Sequence, residues 1–455
     1  MADTLTTSSD TGVFTRDQVE MLSARKGEPD WLLQHRLEAY DRFAAAPMPT
    51  MREETWRYTD LGSALSFDAY EFAAETKPVT AIRDLPAVLV DEIEHADDYS
   101  GRMVQVDGSV VLRELSDELR EKGVVFTSLD VAVQEHPELV RQYLGTALRP
   151  EEGEVSADTK FGDLNTAFAS GGTFVYIPKG VRVEAPLRVW RTITRPGVAV
   201  FPRTVIVAEE EAEVSVVDQM VSADAEGGAF CAASTEIIGE ELARVNYIPV
   251  QRWGNGTIHL STDRVIARRD ARVTSLHVTL GGALSRVDAQ CRMEGPGSHV
   301  DLLGLYLAEG KQHIDHETLQ DHLSPHAASN LLFKGALMDE GHGVFRGMIR
   351  VAPGAQRTNA YQTNRNLLLS NSARADSLPN LEIGADDVRC SHAATVGQLD
   401  KEEMFYLMSR GIPKEEATRL VVFGFFGEVL EQLELEGVRK DMYGLVERKL
   451  LRNRR

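Results

Sequence analysis

Cysteine is scarce in this 455-residue sequence: there are three, Cys231, Cys291 and Cys390, far apart and with no C-x-x-C among them. That count argues against a disulfide framework and against a self-contained zinc or iron–sulfur site, which takes about four managed ligands. Long apolar runs are missing too. Nothing approaches about 18 consecutive apolar residues, so no membrane-spanning helix is expected. The first residues, Met1-Ala-Asp-Thr-Leu, lack the basic and apolar regions of a secretion signal, which reads as a cytoplasmic protein. Positive charge is in deficit, 49 Lys+Arg against 70 Asp+Glu, for a net charge of −21. Such a field repels phosphate backbones and anionic lipid, which argues against nucleic-acid and membrane-surface partners. The one basic cluster, Arg448, Lys449, Arg452, Arg454 and Arg455, suits a helix C-terminus or a solvated tail. Nucleotide and hydrolase signatures are also absent: there is no P-loop, no G-x-S-x-G and no H-E-x-x-H. Gly341-His-Gly343-Val-Phe-Arg-Gly347 has one residue too many for a dinucleotide fingerprint and reads as a turn among strands.

What remains is an ordinary globular composition, 43% hydrophobic and 26% charged, over a length that calls for two or three units. Residues 1–155 read as a mainly helical domain. Helical patterns at 31–40 and 129–143 (the second interrupted at Pro137) flank an Asp107-Gly108 hairpin signal, and Pro47 and Pro49 mark a linker. The acidic stretch 151–158 marks the boundary. From 156 to 398 short runs of β-formers alternate with Gly, Pro, Asp and Asn, and small residues at 212, 243, 271, 298 and 328 open similar segments. A period near 30 residues fits stacked β-coils better than propeller blades of about 40–45 residues, with an irregular β-sandwich as the alternative. Helix signals return over 399–455: Asp400 with Glu403 forms a capping box, Gly411 stops that helix and Pro413 opens the next. Leu420, Val421, Phe423, Phe425, Phe426, Val429, Leu430 and Leu433 make the second helix apolar around most of its circumference. It is either a buried helix of a small bundle or one that docks a partner.

Histidines offer the chemistry. His313, His316, His322 and His326 are interleaved with Asp315, Glu317 and Asp321, and imidazole with carboxylate suits iron or zinc. Strand geometry turns residues three apart to opposite faces, so His313 and His316 converge only through a bulge; hydrogen-bonded surface histidines are the alternative. Cys390 and His392, two apart, share a face, where a thiolate and an imidazole can hold one metal or simply pack. Asp301, Asp315 and Asp321 leave open a polysaccharide-active β-helix enzyme.

Arg389-Cys-Ser-His-Ala-Ala-Thr-Val-Gly-Gln-Leu-Asp400 and Phe405-Tyr-Leu-Met-Ser-Arg-Gly411 resemble the C-terminal signature of the SufB/SufD family, scaffold components of the SUF iron–sulfur cluster assembly system. Gly171-Gly-Thr-Phe-Val-Tyr-Ile-Pro-Lys-Gly180, Phe333-Lys-Gly335, Val344-Phe-Arg-Gly347 and Asn364-Arg-Asn-Leu-Leu-Leu-Ser370 extend the match, and Glu54-Thr-Trp-Arg-Tyr-Thr-Asp-Leu61 looks like the SufD branch. The resemblance implies a mainly β protein with a right-handed parallel β-helix core between helical domains. It implies a non-catalytic scaffold that works with a SufB-like subunit and a SufC-like ABC-type ATPase, the latter docking on Leu420, Phe423, Phe425 and Phe426. It implies that His392, with Cys390 beside it, faces the SufB-like subunit at a transient, shared iron–sulfur cluster. A reduced flavin is associated with such complexes, without a motif for it here, and the sequence leaves a homodimer open. SufB-type scaffolds carry a cysteine where this chain has Ala375 before Asp376-Ser377. That difference favours the SufD type over the SufB-type cluster carrier, and a purely structural member contributing no ligand is the remaining alternative.

Overall fold

The computed structural model describes residues 11–96, 99–148, 155–223 and 228–452. The expected acidic boundary at 151–158 therefore lies partly outside the described residues, as do the N-terminal residues and the basic Arg454 and Arg455. Strands outweigh helices, 39% to 28%, and form a parallel β-solenoid of about eight turns flanked by N- and C-terminal helices. Each turn contributes one strand to either of two sheets, and the coil-to-coil register is unbroken over long stretches. In one sheet Arg244, Arg272, His299, Ala328, Asn359 and Arg389 follow one another as register partners.

A repeated corner produces this register. Glu211, Leu242, Asp270, Gly297, His326 and Arg357 all have φ between 55° and 73°. Each is followed by a buried small residue: Ala212, Ala243, Ala271, Ser298, Ala327 and Thr358. The left-handed residue reverses the chain and the small one lets the next coil sit close. The fifth repeat thus begins at Ala327, not Ala328. Two adjacent alanines hide the phase in sequence, but a one-residue slip would turn the whole strand inside out. The glycine-rich 341–347 stretch is also not a turn, because His342–Val351 is a ten-residue strand.

Residues of the first 155 also build the solenoid. Gly101–Val106 joins one sheet parallel to Leu187–Thr192, and Ser109–Leu115 returns antiparallel to it across the Asp107-Gly108 turn, where both residues have positive φ. Val125–Ser128 extends the other sheet. The helices Asp30–Ala45 and Lys160–Phe168 pack their aromatic and aliphatic side chains on that sheet's outer face.

The opposite outer face is covered by the C-terminal helices. Val422, Phe426, Val429, Leu430, Val438, Met442 and Val446 bury themselves against Val250, Val278, Leu305 and Leu332 of the sheet. Each such side chain contributes roughly 1.5–3 kcal/mol by leaving water. Lys449 is not a solvated tail residue: it is buried, with its ammonium donating to Leu280 O and, at 2.8 Å, to Gln312 Oε1. Among the described residues no helix is long and apolar enough to cross a membrane.

The solenoid interior is not purely apolar. Arg191 forms a bidentate pair with Asp218 at 2.7 and 2.9 Å, and Asp263 accepts from Ser261 Oγ at 2.8 Å. Desolvation holds His259 and His316 down to about 3 and His277 and His322 to about 4. The unfolded value is near 6.5, so between about pH 4 and 6.5 the unfolded chain binds more protons. The stability these neutral rings confer is complete above that window and is lost as pH falls through it. Asp263 opposes them: desolvation raises its carboxyl to about 7, so its contribution favours the fold at low pH and fades as pH rises. Glu317, raised by desolvation to about 8, acts in the same direction as Asp263, and four imidazoles outweigh the two carboxyls. The urea midpoint is therefore expected to drop on acidification from about pH 7 to 5, and more steeply in Asp263→Asn. A flat profile in both proteins would contradict this account.

Candidate functional site

The last turn of the solenoid is built from Arg374–Ile383 in one sheet and Arg389–Gln398 in the other. Among the described residues, each strand has a parallel neighbour on one side and none on the other. Alternate residues of each ten-residue strand therefore present unpaired backbone donors and acceptors, the condition under which a strand recruits another strand. Apolar side chains are exposed at this end as well: Tyr361, Leu381, Ile383 and Val396.

Cys390 and His392 sit on the final strand, as register partners of Ala360 and Gln362. In the preceding strand Ala360, Gln362, Asn364 and Asn366 are the buried, inward row. Cys390 and His392 thus continue the interior row past the point where the solenoid ends, which agrees with the shared face read from their spacing. His392 is exposed. Cys390 is half-buried beside Ile349, Val351 and Ala360, and desolvation pushes its thiol pKa up, so the thiol keeps its proton at neutral pH. The other two cysteines lie fully inside the solenoid, their thiols raised further by burial.

Behind this pair lies a polar layer that sequence reading did not assign to the site. Asn364 Oδ1 accepts from Ser377 Oγ at 2.7 Å and from Asn366 Nδ2 at 2.8 Å, and Asn364 Nδ2 donates to the Tyr306 hydroxyl at 3.3 Å. The signal was present in the Asn364-Arg-Asn366 alternation, which puts two amides on one face. Gln362 is 1% exposed, yet its side-chain amide has no hydrogen-bond partner among the described residues. Gly347 makes room for it, since a Cβ there would lie 2.4 Å from Gln362 Nε2. A buried unsatisfied amide costs about 1–3 kcal/mol, which a polar group arriving at the open end would offset. Ala375, in the opposite sheet, is partly buried against the apolar interior and offers no ligand.

The histidine-rich strand His313–His322 divides its residues between faces, as parity requires. His316 and His322 are not at the surface: both are fully buried, bonded to Thr279 Oγ1 at 3.1 Å and Ser329 Oγ at 2.8 Å. His326 is a corner residue. Asp315 and Asp321 point outward and are held by Arg286 and Arg350, and Asp301 pairs with His299. Glu317, also on that face, is raised to about 8 by desolvation. Among the described residues no three His, Cys, Asp or Glu side chains converge in a metal-holding arrangement.

The C-terminal apolar residues separate by exposure. Phe426 is 0% exposed and belongs to the core against the sheet. Phe425 is half-buried under the Lys334 ammonium, 4.6 Å from its ring centroid, and Phe423 stacks on Tyr443. Leu420 is 41% exposed, and the adjoining helix Lys401–Ser409 exposes Phe405 (74%), Tyr406 and Met408. The apolar surface open to a partner is thus this second group together with Leu420.

Two family models match most of the chain: "SufBD protein N-terminal region" over residues 14–189 and "SUF system FeS cluster assembly, SufBD core domain" over 191–425. The chain is 30% identical to the iron–sulfur cluster assembly protein SufD of Bacillus subtilis over 96% of its own length and 98% of that protein's. It is also 30% identical to SufB of the same organism, over 93% of this chain and 90% of SufB. An iron–sulfur cluster assembly SufBD family protein of Staphylococcus saprophyticus matches at the same identity and coverage as SufB.

Proposed function

The chain belongs to the SufB/SufD family and is a subunit of the SUF iron–sulfur cluster assembly system; from that premise we propose that it is a SufD-type, non-catalytic scaffold. It works in the cytoplasm, pairs through the open end of its solenoid with a SufB-like subunit, and presents His392 to a transient cluster whose other ligands come from that subunit. The observation that carries this reading is the uncapped last turn, where both sheet edges, exposed apolar side chains and the inward row ending in His392 coincide. Identity alone is equal for SufD and SufB relatives. Ala375 and the near-complete coverage of the SufD relative favour the SufD type.

The division of labour follows the sequence: 1–155 buttresses the core, 156–398 carries the assembly edge, and 399–455 receives a SufC-like ATPase on Leu420 and the neighbouring exposed rings. That partner supplies the nucleotide chemistry for which this chain has no motif. A homodimer through the same edge is the competing pairing. A cleft of about 720 Å³ beside Lys160–Phe168 is lined by Arg264, Asp288, Arg292, Asp321 and Arg350, without an aromatic ring to stack on a flavin, so no step is assigned to one here. Co-expression with SufB-like and SufC-like subunits is expected to yield a complex containing iron and sulfide, whereas the chain alone carries no chelator-resistant cluster. Failure to form the complex, or a stoichiometric cluster on the isolated chain, would overturn the proposal.

A further inference from the structure

On the outer face of the sheet opposite His392, His313 and His342 are register partners on adjacent strands. Their Nδ1 atoms face each other at 3.1 Å, with ring centroids 4.7 Å apart and planes at 74°. The other nitrogen of each ring is engaged. His342 Nε2 lies 2.7 Å from Asp376 Oδ2, a carboxylate also held by Arg374, so that nitrogen carries the hydrogen. His313 Nε2 lies 2.8 Å from Thr59 Oγ1, whose single hydrogen goes to Asp315 Oδ2 at 2.5 Å, an oxygen that also pairs with Arg286. Thr59 must then accept from His313 Nε2–H. With both rings neutral, each is held as the Nε2–H tautomer, and two bare Nδ1 lone pairs are left facing one another.

That arrangement is unfavourable unless a cation lies between the two atoms. Two nitrogens bound to one metal ion at about 2.0–2.1 Å are separated by about 2.8–3.4 Å for right-angle to tetrahedral geometry. The observed 3.1 Å falls inside that interval. A hydrogen-bond acceptor behind each ligating ring is the arrangement that orients imidazole ligands and raises their basicity. We propose that His313 and His342 bind one divalent first-row transition-metal ion through Nδ1, with Asp376 and the Thr59–Asp315 pair as orienting groups and water in the remaining positions. His342 is partly exposed, so solvent reaches the site. The segment carrying Thr59 is held on this face by Trp56, whose ring centroid lies 4.0 Å from the Arg286 guanidinium carbon, and by Glu54 with Arg346 at 3.0 Å.

The experiment is a titration of the intact chain with Co²⁺, read by ligand-field absorption, and with Zn²⁺, read by calorimetry. One saturable equivalent is expected to disappear in His313→Ala and in His342→Ala, and to weaken about 10- to 100-fold in Asp376→Asn. The same equivalent should persist in His392→Ala and Cys390→Ser, which separates this site from the proposed cluster edge. His342→Gln, with melting followed in parallel, serves if the alanine variant does not fold. A titration unchanged by both histidine substitutions, or no saturable binding at all, would overturn the proposal and leave a shared proton as the occupant.

Discussion

Phe426→Asp is expected to cost the protein its C-terminal packing, while Leu420→Asp should leave the fold intact and remove the ATPase partner. Phe426 lies at 0% exposure in the layer between the helix Lys414–Leu430 and the sheet, among Val422, Val429 and Leu430. Removing a buried phenyl ring costs about 3–5 kcal/mol, and an unpaired carboxylate in its place adds several more. The variant should melt many degrees lower or be recovered unfolded. At Leu420, 41% exposed, a carboxylate stays in water, and surface substitutions of this kind move stability by about 0.5 kcal/mol or less. At the apolar centre of an interface the same change should weaken binding at least about thirtyfold, the range of a hot-spot residue. Thermal melting and pull-down of the SufC-like partner measure both. A folded Phe426→Asp protein with native melting would show that the rings do not fill this layer, and a Leu420→Asp variant that still binds the ATPase would move the interface elsewhere.

His392→Ala should lower the cluster content of the assembled complex by at least about tenfold, since a lost ligand costs no less than a lost orienting group. Subunit stoichiometry and melting are expected to stay at wild-type values, because His392 is exposed and lies past the last complete turn. Cys390→Ser should be the milder change. Its thiol is half-buried and held protonated by desolvation, so at neutral pH it is a poorer ligand than the exposed imidazole beside it. Iron and sulfide per complex, measured side by side for the two variants, decide the order. Wild-type cluster content in an intact His392→Ala complex would remove the role proposed for this residue.

Much of the architecture was legible because it repeats locally. Small residues near every thirtieth position, each preceded by a left-handed corner, encode the coil, and side-chain alternation of period two encodes which row faces in. The Asp400 cap, the Asp107-Gly108 turn and the shared face of Cys390 and His392 were readable for the same reason: each depends on neighbours within a few positions. The apolar excess around Leu420–Leu433 was visible too, but not its allocation. Which flank of that helix meets the sheet and which meets water depends on where the sheet lies, and so Phe426 and Leu420 parted only in three dimensions.

Three-dimensional stacking alone decided the other site features. Lys449 looked like a tail cation until the last helix laid it against Leu280 and Gln312, more than a hundred residues earlier. His316 and His322 looked like surface groups until the strand's parity met a closed interior. His313 finds His342 twenty-nine residues later, and Thr59 reaches them from 254 residues away. By itself the sequence determined the family, the coil and the direction each side chain takes, because those follow from chain-local geometry. Only the tertiary structure decided which side chains share a space, because parallel coils bring together residues a full turn apart and the flanking helices choose which faces to cover.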